Sequence, residues 1–456
     1  MHHSQGAPCL GVPCTLQPSF ELSHEMRRTI LTLLPVVALA VVAFVASGAV
    51  LQHDRPAAPK PGRSGPQTAG QTVTAAQNAI RADPQSDRAY ATLASAALER
   101  VRETGDPSWY AKADEAGTRA LAIAPRNVQA IDALATLANA RHRFAEGLHL
   151  ATQSTNLEPD HFAPLGLAAD ALIELGRYRE GFATVERSLR LKPNAASYSR
   201  ASYVAELRGD RTQAIALMAL AVESGRPGSE SRAWSRVQLG LLHFGSGNLS
   251  EAAGQMRTAL AERPGDARAT AGSARIEAAR GHLDRAASLY QAALDTTPLP
   301  EYAASLLDVD RARGAADRLP GDVELLRAME RLQEQAGVRI DLDRALIDAD
   351  QHRPTATDVT RARAAHMSRP GIIGDDILGW VLTRANRCDE GLRYARRSLR
   401  LGTRDALMLF HAGAAAHCAG ATADARVWLA EALHLNPAFS VRWAPVARRM
   451  LTEVTS

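Results

Sequence analysis

The chain has 456 residues, enough for two or three ordinary domains or for one long repeat array. Aromatic residues make up only 5% and alanine is abundant, which suits closely packed helices better than sheets. The formal charge is +4, Lys occurs only at Lys60, Lys112 and Lys192, and no basic run carries interleaved aromatics, so a nucleic-acid footprint is missing.

Taken in chain order, the first predicted element is apolar. Residues 29–51 contain no charged side chain. The run is long enough to cross a hydrocarbon core as a helix and longer than the apolar region of a usual cleaved signal. It reads as a retained transmembrane anchor. Small residues at Ala46, Ser47, Gly48 and Ala49 leave secretion after signal cleavage as the alternative. Arg27 and Arg28 predict a cytoplasmic N-terminus, which places the rest of the chain on the extracytoplasmic side of a bacterial cytoplasmic membrane. Because Met26 directly precedes this basic pair, residues 1–28 read as a cytoplasmic tail or a non-native extension, with Met26 as the native start. Cys9 and Cys14 fall in that extension. Residues 52–70 are rich in Pro and Gly and read as a spacer.

From Gln71 the sequence repeats. Prolines that follow helix ends stand at Pro84, Pro125, Pro159, Pro193, Pro227, Pro264, Pro298, Pro370 and Pro437, spaced by 41, 34, 34, 34, 37, 34, 72 and 67 residues. A 34-residue period is that of a helix–turn–helix unit. Gly176, Gly247, Gly281 and Gly420 mark the turn inside the unit. Small residues recur five positions later, at Gly181, Ala252, Ala286 and Ala425, and again at Ser188, Ala259, Ala293 and Ala432, where helices must approach closely. The pattern predicts about ten two-helix units over 71–437. Residues 99–110 lengthen the first inner turn, residues 299–370 are degenerate with a long helix near 318–337, and 438–456 form a capping helix.

Tyr90, Leu93, Ala94 and Ala97 fill the large-x-x-Leu-small slots of one unit, Leu239 and Gly240 the Leu-Gly pair of another, and Tyr290 an aromatic slot. In these residues the chain resembles the tetratricopeptide-repeat family. The resemblance implies an all-α, right-handed solenoid whose first helices line a concave groove, with a protein or peptide as partner. The stretches RVRETGDPSWYAKADEAG, LRLGTRDALMLFHAG and LNPAFSVRWAPVARRML are also similar to a bacterial subfamily of exported repeat proteins, which brings no catalytic residue with it.

Catalytic signatures are missing: there is no H-E-x-x-H, no G-x-S-x-G, no Walker loop and no dinucleotide fingerprint. No enzymatic activity and no cofactor are expected. The acid pairs Asp375–Asp376 and Asp348/Asp350, with Asp341 and Asp343, read as helix-end carboxylates, solvated or capping amides. Cys388, His411, His417, Cys418 and His434 have the composition of a zinc site without its spacing. Cys388 instead starts a second helix and Cys418 ends the first helix of the next unit. Antiparallel packing brings these ends together, so a disulfide is expected in an oxidising compartment. Arg393, Arg396, Arg397 and Arg400 read as a solubilising convex face.

For partner binding, Trp234, Val237, Leu241 and Phe244 form a second apolar stripe on one helix, beside its core-facing positions Arg236, Leu239, Gly240 and His243. Ile373, Trp380 and Phe410 take similar positions near the C-terminus. These seven are the expected groove anchors, unless superhelical packing buries them as core. The expected function is a protein-interaction scaffold outside the membrane; the alternative is an extracytoplasmic small-molecule or metal binder serving a transporter.

Overall fold

A computed structural model describes residues 68–456. The expectations for the anchor 29–51, for the extension 1–28 and for nearly all of the spacer 52–70 lie outside the described residues. Among the described residues there are 22 helices and no strand, and no helix is long and apolar enough to cross a membrane.

A single helix, α1 (Ala69–Ala82), precedes ten antiparallel pairs. They are α2 (Asp87–Thr104) with α3 (Trp109–Ile123), α4 (Val128–Ala140) with α5 (Phe144–Leu157), α6 (Ala163–Glu174) with α7 (Tyr178–Leu191), α8 (Ala195–Leu207) with α9 (Arg211–Ser224) and α10 (Glu230–Gly245) with α11 (Leu249–Glu262). There follow α12 (Ala267–Ala279) with α13 (Leu283–Thr296), α14 (Pro300–Ala312) with α15 (Leu319–Gln335), α16 (Asp341–Gln351) with α17 (Ala356–Ser368), α18 (Ile372–Arg384) with α19 (Cys388–Ser398) and α20 (Ala406–Cys418) with α21 (Thr422–Leu435). A last helix, α22 (Trp443–Thr455), follows α21.

Local chemistry sets these boundaries. Side chains of Ser86, Asn127, Asn194, Ser229, Asp266 and Asp405 accept hydrogen bonds from the free amides at the start of first helices. Pro84, Pro125, Pro159 and Pro193 stand one or two residues beyond helix ends, where no further turn can form. The turn inside most pairs uses a left-handed residue, as at Gly176, Gly209, Gly247, Gly281 and Gly420. His142 holds that place with φ 55°, a conformation few side chains adopt.

The degenerate stretch resolves into two further pairs. Its long helix, α15, has 17 residues, and the 72-residue proline gap spans α14 to α17. Toward α14, helix α15 buries Leu326 and Met329. Toward α16 it presents charge: Arg327 pairs with Glu330 at 2.7 Å and with Asp348, while Arg344 reaches Glu334 at 2.6 Å and Glu330 at 3.3 Å.

The stack also closes on itself. The C-terminal ends of α4, α6, α8 and α10 meet segments about six pairs later in the chain. Arg339 N–H donates to the Arg141 carbonyl, and His142 Nδ1 lies 2.9 Å from the Arg339 carbonyl, which obliges it to carry the proton. Burial, with the Arg369 cation behind it, pushes the His142 pKa down and favours the neutral ring. Further along, Arg369 grips Glu174, and the Tyr178 hydroxyl accepts from Ile372 N at 2.5 Å. Thr403 Oγ1 donates to the Leu207 carbonyl at 2.5 Å, and Asn436 Nδ2 to that of Phe244 at 2.9 Å. The sequence separations of these side-chain bonds run from 192 to 197, a nearly constant offset that makes a continuous seam. Here α4, α6 and α8 end against the starts of α16, α18 and α20, so those helix dipoles run head to tail, and α10 ends against the turn that follows α21.

Candidate binding site

Because of the seam, first helices are covered on more than one side. In α6 every residue from Pro164 to Glu174 is buried, and in α20 every residue from Ala406 to Ala416. Trp234, Val237 and Phe244, expected at a groove, lie in the interior, as do Trp380 and Phe410; Leu241 and Ile373 are half-buried. The expectation of solvent-facing anchors is therefore corrected. The physical reason is the seam: Phe244 sits there with Asn436 on its carbonyl and the Arg275 guanidinium 4.7 Å over its ring. Nor do the two groups meet: Val237, Leu241 and Phe244 belong to one packed cluster, Ile373, Trp380 and Phe410 to another.

The second cluster has more chemistry than a core needs. The Trp380 ring stacks on His411 at 4.4 Å, tilts against Phe410 at 5.6 Å and meets Trp443 edge-on at 5.2 Å. These side chains come from α18, α20 and α22, three successive first-helix positions. Carboxylates surround the rings. Trp380 Nε1 donates to Asp350 at 2.8 Å, and His411 Nδ1 bonds Asp376 at 3.0 Å. Burial raises the Asp350 pKa to about 6, with the Asp308 charge adding to it and His411, Trp380 and Arg442 opposing. For His411, burial disfavours the cation, yet Asp376, Asp350 and Asp405 outweigh it and hold the pKa above its ordinary value. Three buried polar atoms here lack a protein hydrogen-bond partner: His411 Nε2, Asp376 Oδ1 and Trp443 Nε1.

The acid pairs read as solvated helix-end groups take a different role. Asp375 is fully buried and binds His366 at 2.9 Å, Arg397 at 3.0 Å and Arg400. Asp376 is buried against His411, and Asp348 holds Arg327. Neither their spacing nor their neighbours in sequence distinguishes them from ordinary caps. Arg442 and Trp443 were hidden for the same reason, inside an amphipathic capping helix. Arg393 and Arg396 stand on the exposed side of α19, with Arg396 paired to Asp424 at 2.8 Å.

Cys388 and Cys418 are joined in a disulfide, their Cα atoms 5.2 Å apart at the start of α19 and the end of α20. Of the other residues with metal-ligand composition, His411 faces the interior and His417 pairs with Glu453 at 3.6 Å. Among the described residues no three His, Cys, Asp or Glu side chains gather to hold a metal ion. A void of about 220 Å³, counting its opening to solvent, lies at the seam beside Glu174, Tyr178, Tyr203 and Arg369. Its Arg369 and Tyr178 are already engaged across the seam, so the aromatic–carboxylate cluster is the stronger candidate site.

Stacked antiparallel pairs with a 34-residue period, glycine turns and small residues at the crossings define a helical-repeat protein. Residues 237–299, from within α10 to just past the end of α13, match the tetratricopeptide repeat family. No curated protein matches the chain. Among solved structures it is similar to YrrB, described as a TPR protein with an unusual peptide-binding site, at 20% identity, covering 40% of this chain and 92% of that one with a TM-score of 0.27. It is similar to a tetratricopeptide repeat protein from Parabacteroides merdae ATCC 43184 at 17% identity, covering 57% and 92%, TM-score 0.38. A third likeness is to the human IFIT1 dimer with PPP-AAAA, at 16% identity, covering 80% and 77%, TM-score 0.41.

Proposed function

We propose that this chain is a non-enzymatic protein-interaction scaffold, tethered by residues 29–51 to a bacterial membrane with its repeats on the extracytoplasmic side. The observation that carries the binding role is the cluster around Trp380: rings from α18, α20 and α22 and carboxylates from α16 and α18 converge with buried polar atoms left unpartnered. Such atoms are costly unless something satisfies them, and a polypeptide partner offers both N–H and C=O groups. Two sequence features support the location, the uncharged run behind Arg27 and Arg28 and the two paired cysteines.

The experiment has two arms. An alkaline-phosphatase fusion after Ser456 should be active in a bacterial host; an expressed but inactive fusion would overturn the location. Full chain recovered from detergent-solubilised membranes should retain a stoichiometric polypeptide partner through gel filtration. Recovery of the chain alone, under conditions that preserve other membrane complexes, would overturn the scaffold reading.

A further inference from the structure

The interior near Trp380 already has an occupant, supplied by the chain itself. From the turn after α21 to the first residue of α22, the segment 439–443 packs against the last units. Phe439 lies 5.8 Å from Phe410, and Trp443 sits 5.5 Å from Phe410 and 5.2 Å from Trp380. Between them, Arg442 extends away from its own unit. Its Nη1 bonds Asp308 on α14 at 2.9 Å, 134 residues earlier in the chain, and its Nη2 donates to the carbonyl of Asp350. Val441 packs against the cluster containing Tyr302 and Leu306.

A helix that merely caps the last repeat needs an apolar face toward α20 and α21. Covering that face does not require a guanidinium to reach back to α14, nor a cation and two aromatic side chains each met by complementary groups. Acidic Asp308 and the Asp350 carbonyl receive the cation; Trp380 and Phe410 receive the rings. The fit is also incomplete. Trp443 is 7% exposed and its Nε1 has no acceptor, while His411 Nε2 and Asp376 Oδ1 on the receiving side are unpartnered too. An occupant leaving buried donors and acceptors unmet can be displaced by one that meets them.

Resting on the scaffold reading above, we propose that residues 439–443 are an internal ligand. They fill a recognition site made by Asp308, Asp350, Trp380, Phe410 and His411. The partner inserts a segment of the same chemistry, an arginine next to an aromatic residue, and displaces them. The tethered segment competes at an effective concentration in roughly the millimolar range, so only a partner that also satisfies the orphaned polar atoms opens the site.

The probe is a fluorescein-labelled synthetic peptide with the sequence of residues 437–445, titrated by anisotropy against the full chain. Wild type should bind it weakly. The full-length double variant Arg442→Glu, Trp443→Ala, whose internal ligand is spoiled, should bind it about tenfold more tightly or better. The milder Arg442→Gln should give a smaller gain in the same direction and keeps the test alive if the double variant does not fold. A peptide with glutamate in place of its arginine should lose binding, as should the variant chain carrying Asp308→Lys. A folded variant that binds the peptide no better than wild type, or no better than the glutamate peptide, overturns the internal ligand. If membranes nonetheless yield a partner whose capture is insensitive to Arg442→Gln, the scaffold reading stands and the site lies elsewhere. If no partner is retained by either chain, it is the scaffold reading that falls.

Discussion

Between α10 and α12 the Met256 side chain is wedged against two glycines on neighbouring first helices, Gly240 and Gly272, and Ala252, Ala259 and Ala269 are fully buried around it. Between α15 and α16 the same kind of junction carries Arg327, Glu330, Arg344 and Asp348 instead. A β-carbon at Gly240 would stand 2.7 Å from Met256 Cε, so backbones there approach as closely as sterics allow. Close approach multiplies small dispersion gains, which water and salt barely touch. Long charged side chains hold helices apart and bind through ion pairs that salt weakens. The proline period fails in that stretch, so the small residues behind the 34-residue signature also carry the tight stacking.

The largest expected effect is on the tight side of this comparison. Met256→Ala removes the only side chain long enough to fill the slot between two glycines, leaving a void that backbone cannot easily close. It should destabilise the repeats by about 3 kcal/mol, within the usual range for buried large-to-small changes. Leu332→Ala, at a side chain of α15 that is 54% exposed, should change stability by less than about 0.5 kcal/mol. Because repeat arrays can unfold regionally, amide exchange in α10–α12 is the measurement of choice. Equal effects at the two positions would remove the distinction.

Next comes the disulfide, which gives the last two units a constraint that α14–α16 lack. Cys388 and Cys418 are 30 residues apart, and a loop of that size is worth at most about 3.6 kcal/mol in the chain-entropy account, of which a real bridge often delivers less. Cys388→Ser with Cys418→Ser should lower the melting temperature and speed exchange in α18–α22, with α4–α8 little changed. Uniform acceleration along the chain would mean that the stack behaves as one cooperative body.

Much of this architecture was legible in the residues. Gly176, Gly247, Gly281 and Gly420 stand at left-handed turns, the prolines follow helix ends, and the two cysteines fall where antiparallel helix ends meet. Such features are local, or lie one unit apart, so period and spacing reveal them. The seam is different. His142 and Arg339 are 197 residues apart, and nothing in either neighbourhood encodes how many units complete a turn. That number follows from small rotations accumulated over six pairs. It also decided the fate of the candidate site, because the seam covers helices that would otherwise line an open groove. Asp375 and Asp376 escape a sequence reading for a related reason: a carboxylate at a helix start is ordinarily solvated, and only the packing of α17, α19 and α20 around α18 brings His366, Arg397 and His411 over them.

The seam offers a third comparison, through its acid groups. Burial raises Glu206 to about 7, against the attraction of Arg211, and Asp405 to about 7, against its bond from Met408 N. Both folded-state values exceed those of an unfolded carboxyl. The stability they contribute is therefore complete below about pH 4 and is lost as pH rises through about 7. Between pH 6 and pH 8 each should remove about 1 kcal/mol. Glu206→Gln and Asp405→Asn should flatten this slope in urea titrations, and Asn keeps the capping acceptor of α20. A slope unchanged in both variants would place the pH dependence elsewhere.

The smallest effect belongs to the ionic junction. Arg327 and Arg344 are partly exposed, and their carboxylate partners range from nearly buried Glu330 to exposed Glu334. Exposed pairs of this kind contribute about 0.5–1 kcal/mol each, and screening takes most of that away. Raising salt from about 0.05 M to about 0.5 M shortens the Debye length to a few ångströms, so exchange in α16 should accelerate while exchange in α11 and α12 stays constant. Arg344→Gln should produce a similar change at low salt and leave little for added salt to do. If α16 is as insensitive as α11, the apolar contact of Ile347 with the cluster containing Leu326 and Met329 holds the junction, and the ion pairs only decorate it.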